Sequence, residues 1–84
     1  MKIVPLKANQ TELHLNDGTV VLFSYKTPVA GFTPDVGYFR TDEFFSTTTS
    51  RHINNWLREE VGDAFNDVQR LPQSQIDTVV DLVN

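Results

Sequence analysis

The spacing of apolar residues changes at residues 46–50, a run of hydroxyl side chains, and this change constrains the fold most strongly. Before the run, apolar and polar residues alternate, or β-branched and aromatic residues cluster, as is typical of strands. After it, apolar residues recur every three or four positions, as is typical of amphipathic helices. Strands followed by helices, without regular alternation between them, predict an α+β fold.

The chain of 84 residues is expected to form a single domain. Its strand-rich part covers residues 1–46, and its helical part covers residues 47–84. The first part has segments for four to five short antiparallel strands, which predict a small, barrel-like sheet. The second part has two segments with helical spacing, so we expect two C-terminal helices after the sheet.

A β-hairpin is indicated around Asp17 and Gly18. Apolar and polar side chains alternate through residues 12–16, with Leu13 on the inward face. Residues 19–25 are dense in β-branched and aromatic side chains, which favour strands. Between these segments, an acidic residue followed by glycine supplies the backbone conformations that tight hairpin turns require.

Apolar residues define one face of each predicted helix. In the first helix they are Ile53, Trp56, Leu57 and Val61. In the second helix they are Ile76, Val79, Val80 and Val83. A hydroxyl residue within 46–50 is a natural N-cap for the first helix, and Gly62 is a natural stop. We expect Ile53 and Trp56 to be buried against the sheet.

The net charge of −4 is unevenly distributed along the chain. Residues 1–42 carry four basic and four acidic groups, whereas residues 43–84 carry three basic and seven acidic groups. The helical part would therefore repel a polyanion, and a nucleic acid would have to contact the strand-rich part. The overall charge argues against non-specific binding of DNA.

Cysteine is absent from the sequence, which disfavours a small secreted domain with disulfides and a structural zinc site. The first residues lack the apolar run of a signal peptide, and no segment has the length of a membrane span. We therefore expect a cytoplasmic protein without a cofactor or a metal ion.

The sequence offers no arrangement typical of catalysis. His14 and His52 are the only histidines, and neither has the spacing to acidic or histidine partners that a metal site needs. We expect His14 on an outward strand face and His52 stacked along the first helix, four residues before Trp56. The hydroxyl run lacks a nucleophile motif, so we expect no enzymatic activity.

Basic and aromatic residues are interleaved near the middle of the chain. Small β-barrels hold single-stranded nucleic acid by stacking bases on aromatic rings and by pairing phosphates with Lys and Arg. The predicted phosphate contacts are Lys26, Arg40 and Arg51, and the predicted stacking surfaces are Tyr25 and Tyr38. The alternative is that the aromatic residues form the core of the sheet.

Residues 12–25, with the sequence ELHLNDGTVVLFSY, resemble the first signature of Sm and Sm-like RNA-binding proteins. In that family a strand, an acidic-glycine turn and a second strand open a five-stranded barrel that assembles into rings. The resemblance implies an oligomeric small β-barrel that binds RNA. The chain departs from the family at Phe23, which stands where the family has a glycine, and in its helices, which follow the strands.

Residues 27–57 contain the segments TPVA, YFRTD and TTSRHINNWL, and they are similar to short proteins of tailed bacteriophages. This resemblance implies a host cytoplasm and no particular activity. We therefore expect a small non-enzymatic binding module that contacts single-stranded RNA or DNA as an Sm-like homo-oligomer. The alternative is a phage-encoded protein-interaction or assembly module, with a host or phage protein as its partner and no nucleic-acid activity.

Overall fold

A computed structural model describes residues 1–81 of the chain. One sheet contains all six strands, and their order across the sheet follows their order in the chain. The elements are β1 (Lys2–Lys7), β2 (Gln10–His14), β3 (Val20–Ser24), β4 (Thr27–Thr33), β5 (Gly37–Thr41), α1 (Thr47–Val61), a 3₁₀-helix (Gly62–Asp67), β6 (Gln69–Leu71) and α2 (Gln73–Asp81).

The predicted α+β fold is confirmed, with a strand-rich first part and two helices in the second. Strands β1 to β5 form an antiparallel meander, and β6 joins β5 in parallel after the chain has passed through α1. The sheet is therefore mixed and has six strands, and it stays open where the Sm resemblance implies a closed barrel. Among residues 1–81, no helix is long and apolar enough to cross a membrane.

The predicted hairpin is confirmed, because β2 pairs antiparallel with β3. Its loop is wider than a two-residue turn: the amide of Leu15 donates to the carbonyl oxygen of Thr19 at 2.9 Å. Asp17 Oδ1 accepts from the amide of Thr19 at 2.9 Å, and Gly18 takes a φ of +93°. A three-residue loop of this kind places glycine in the left-handed position, as the sequence provides.

Helix α1 covers one face of the sheet. The cross-strand row Leu22, Ala30 and Arg40 lies on this face, since Arg40 Nη1 donates to Asn54 Oδ1 of α1 at 2.8 Å. The central apolar residues of this row pack with Val29 and with three residues of α1: Ile53, Trp56 and Leu57. The predicted burial of Ile53 and Trp56 is confirmed.

Helix α2 lies against the opposite face. Phe39 stands opposite Gly31 and next to the row that faces α1, so its side chain points the other way. There it packs with Leu71 of β6 and Ile76 of α2 in a second, smaller cluster. A hydrogen bond connects the start of α2 to β4: Gln73 Nε2 donates to the carbonyl oxygen of Pro28 at 2.7 Å.

The ends of α1 follow from its sequence. Ser46 is the N-cap, and its hydroxyl accepts from the amide of Thr49 at 3.0 Å. Gly62 ends the helix with a φ of +65°, a positive value that glycine adopts readily because it has no Cβ atom. In α2, Ile76 is buried and Val79 and Val80 are half-buried, whereas Val83 lies outside the described residues.

Candidate functional site

The turn between β3 and β4 has an unusual backbone. Ser24 and Thr27 pair across it, so Tyr25 and Lys26 form a two-residue loop. Tyr25 has a φ of +58°, and its side chain is 54% exposed. A bulky residue in this conformation costs about 1–2 kcal/mol and persists only where neighbouring contacts hold it. One such contact is the Tyr25 amide, which donates to the carbonyl oxygen of Asn9 at 2.8 Å.

His52, near the start of α1, is held beside this turn by a hydrogen bond to Ser24 of β3. His52 Nδ1 lies 2.8 Å from Ser24 Oγ, which in turn lies 3.0 Å from Thr49 Oγ1. The ring of His52 lies 5.9 Å from the ring of Tyr25 with 39° between their planes. The buried hydroxyl pair therefore orients the imidazole against the exposed tyrosine.

The surroundings of His52 favour its neutral form. Burial, and secondarily the charge of Arg51, lowers the pKa of His52 below its ordinary value. His52 Nδ1 and the hydroxyl of Ser24 share a hydrogen bond, and the tautomer of the imidazole determines which of them donates. Although a serine and a histidine are in contact, Ser24 is buried, so its hydroxyl is not presented to a substrate. The pair orients the site, and its geometry does not provide a nucleophile.

Two of the predicted contact residues share this turn, and a third is the chain neighbour of His52. Lys26 is exposed in the same turn as Tyr25, and Arg51 is exposed on α1 directly before His52. We call Tyr25, Lys26, Arg51 and His52 the Tyr25 patch. It combines an exposed aromatic ring with two cations, in a region where the histidine is held by buried hydrogen bonds.

Arg40, a predicted phosphate contact like Lys26 and Arg51, is not part of the patch. It is 8% exposed, and it bonds Asn54 under α1. His52 and Asn54 are two residues apart, so they project about 200° apart around the helix. Arg40 and His52 therefore lie on opposite flanks of α1, and Arg51 lies between them on the outer surface, about 100° from His52 and about 60° from Asn54. Burial, and then the charge of Arg70, lowers the pKa of Arg40.

Tyr38 is also separate from the patch. Its ring lies 5.0 Å from Phe32 and 6.0 Å from Trp56, and its hydroxyl reaches Glu60 Oε2 at 3.4 Å. Burial and the nearby carboxylate of Glu60 raise the pKa of Tyr38. Tyr38 therefore packs partly buried between sheet and helix, in line with the alternative core interpretation of the aromatic residues, and its stacking function stays a prediction.

A polar network under α1 was missed by the sequence analysis. Glu12 accepts from Trp56 Nε1 at 2.7 Å and lies 2.8 Å from His14 Nε2. The prediction that His14 lies on an outward face, with Leu13 inward, is wrong for this part of the sheet, because α1 covers the face that carries Glu12. The buried tryptophan was the available signal, since its indole N–H needs an acceptor.

Among residues 1–81, no group of three or more His, Cys, Asp or Glu side chains is arranged to hold a metal ion. A cavity of about 610 Å³ lies between α2 and the two loops at the far end of the sheet. Its lining includes Phe39, Leu71 and Val79, with Asp17 and Asp35 among the polar residues. It contains none of the residues of the Tyr25 patch.

Comparison with known proteins identifies one matching family model. No curated protein matches the chain, and no solved structure matches it. A family model described as a family of unknown function (DUF8033) matches residues 1–78, which is nearly the whole described structure. The chain therefore belongs to this family, DUF8033.

Proposed function

We propose that this protein is a small, non-enzymatic binding module of the cytoplasm that contacts single-stranded RNA or DNA through the Tyr25 patch. The observation that carries the proposal is the exposed ring of Tyr25, held in a left-handed turn beside His52 and flanked by Lys26 and Arg51. The resemblance of residues 27–57 to tailed-phage proteins supports a host cell as the setting.

The patch suits a single strand because its parts perform two different tasks. An exposed aromatic ring offers a face on which an unpaired base can stack, at about 1–3 kcal/mol for each base. Lys26, in the same turn, and Arg51, exposed next to His52 on α1, are the cations that we expect to pair with the adjoining phosphates. The ring lies 5.9 Å from the ring of His52, and this contact should reduce the side-chain entropy that binding costs.

The small number of cations in the Tyr25 patch limits the affinity of one protomer for a nucleic acid. The two cations of the patch neutralise about two phosphates, so the logarithm of affinity should fall with the logarithm of salt at a slope of about −1.4. Useful affinity then requires several protomers on one strand, which raises the effective concentration of each site. This is the reason to expect a homo-oligomer as the functional form.

The double substitution Lys26→Ala/Arg51→Ala is expected to weaken binding of short single-stranded oligonucleotides by about tenfold or more, because it removes both phosphate contacts. The measurement is fluorescence anisotropy at low salt. Lys2→Ala/Lys7→Ala is the matched control, since it removes the same charge from exposed positions of β1 and should change affinity by much less.

Tyr25→Asn separates stacking from turn geometry, because asparagine tolerates positive φ and lacks the ring. It should weaken binding while leaving the thermal stability close to that of the wild type. Binding no tighter than about 100 μM at low salt, or an equal loss in both double variants, would rule out the patch as a nucleic-acid site.

A second candidate is a protein-assembly function through the edge strand β1. Ile3 is 66% exposed near the start of this strand, and Met1 and Leu6 are exposed near its ends. An unpaired edge with apolar side chains can add a strand from a second copy. Light scattering over a range of concentrations tests this candidate: Ile3→Lys should dissociate a wild-type oligomer, and a strictly monomeric wild type would contradict it.

A further inference from the structure

Arg40 is a buried cation without a carboxylate partner. Within the described part of the chain, the only hydrogen bond of its side chain runs from Nη1 to Asn54 Oδ1. The buried Nε of the same guanidinium has no acceptor among those residues. The ion pairs found among residues 1–81 involve Lys7 with Glu59 and His14 with Glu12, and neither includes Arg40. Burying a charge costs free energy unless an opposite charge pairs with it, and the guanidinium of Arg40 lacks an anionic partner in this part of the chain.

A second arginine stands next to it. Arg70 of β6 is the register partner of Arg40 in the parallel β5–β6 pair. Partners on neighbouring strands lie about 5 Å apart and point to the same face, so both guanidinium groups are on the α1 side of the sheet. Arg70 is exposed, whereas Arg40 is covered. Two like charges side by side at a sheet edge are destabilising unless an anion bridges them.

The donors at this edge match a phosphate group. Each guanidinium presents a planar fork of N–H groups that pairs with two oxygens of a phosphate. Asn54 uses its Oδ1 to accept from Arg40, and its Nδ2 has no protein acceptor within the described residues, so it is a further donor beside the two arginines. Two positive charges are balanced by a dianion, whereas a carboxylate would leave one of them unbalanced.

We propose that Arg40, Arg70 and Asn54 form a binding site for a dianionic phosphate, such as inorganic phosphate or the terminal phosphate of a monoester. Arg40 forms the floor of the site and Arg70 its exposed rim. The site is on the other flank of α1 from Tyr25 and His52, so it does not depend on the stacking contact proposed there. A phosphodiester, with one charge, binds more weakly than a monoester.

The test is a titration of the full chain with inorganic phosphate at constant ionic strength, followed by the arginine Nε–H resonances in ¹H–¹⁵N spectra. Arg40→Lys identifies the Arg40 resonance. The pH is held at about 8, where phosphate is a dianion. The Arg40 signal should shift along a saturable curve in the wild type. Arg70→Ala should weaken the apparent affinity by about tenfold or more.

Lys2→Ala is the matched control, because it removes an exposed cation from β1, at the opposite edge of the sheet from β6, and should leave the phosphate titration unchanged. Dimethyl phosphate serves as a phosphodiester probe and should shift the Arg40 signal only at higher concentration. A shift that does not saturate, an equal response to dimethyl phosphate, or an unchanged affinity in Arg70→Ala would overturn the proposal. Since Arg70 is exposed, thermal melts should show that this variant is folded.

Discussion

Replacing Trp56 with alanine is expected to lower the free energy of unfolding by about 3–5 kcal/mol, the usual penalty for deleting a large buried aromatic side chain. Trp56 is 4% exposed and belongs to the cluster that joins α1 to the sheet. For a domain of this size each kcal/mol shifts the melting temperature by about 4–8 °C. Chemical denaturation followed by circular dichroism measures the change.

Trp56→Phe is the matched control for this experiment. It keeps most of the apolar volume but removes the indole donor from Glu12, whose carboxylate is largely buried. Loss of one hydrogen bond to such a group costs about 1–3 kcal/mol. Trp56→Phe should therefore be less destabilised than Trp56→Ala. A loss below about 1 kcal/mol in Trp56→Ala would show that α1 does not pack on the sheet as described.

Replacing Gly31 with alanine is expected to destabilise the protein by about 3 kcal/mol, near the upper end for overpacking a core. Gly31 lies in the middle of β4, and a Cβ atom there would collide with the backbone carbonyl oxygen of Val20. It would also come within 2.9 Å of Phe39 Cζ. The neighbouring backbone belongs to β3, so relief requires the sheet itself to shift. Denaturant unfolding measures the loss.

Gly37→Asn is the control for the loss of a glycine. Gly37 begins β5 with a φ of +85°, and no atom lies within 4 Å of the position of its Cβ. Asparagine tolerates this conformation, so the expected cost is less than about 1 kcal/mol. Equal stability of the Gly31→Ala and Gly37→Asn variants would contradict the close approach of β3 and β4 in the structure.

Local features of the fold were predictable from the sequence because local interactions determine them. The hairpin follows from strand-like residues on both sides of Gly18, and the ends of α1 follow from Ser46 and Gly62. Strand β6 was not defined by its pattern, because three residues carry too little periodicity to distinguish a strand from a loop. Strand β6 takes its position by pairing with the free edge of β5, and this pairing depends on the tertiary structure.

The two faces of the sheet could not be assigned from alternation alone. Alternation in β2 identifies two sets of side chains, but it does not say which set a later helix will cover. The structure places α1 over Glu12, and the charge is accommodated because Trp56 donates to it. For this reason a polar residue that looked outward is part of the buried network.

The candidate site was only partly predictable for a related reason. Tyr25 and Lys26 are neighbours in the chain, so their sequence already showed that they share a turn. Ser24 and His52 are far apart in the sequence, and their hydrogen bond depends on where α1 begins relative to β3. Arg40 was counted among exposed cations because composition gives the charge of a side chain but not its burial.

The parallel pairing of β6 with β5 has a consequence for the order of folding. Within the meander of β1 to β5, each pair of neighbouring strands is joined by a short loop, so each pairing has a low entropic cost. The β5–β6 pairing must enclose α1 and the 3₁₀-helix, and contacts of such long sequence separation form slowly. The meander is therefore expected to assemble first. Strand β6, α2 and the arginine pair complete the domain at the end of folding.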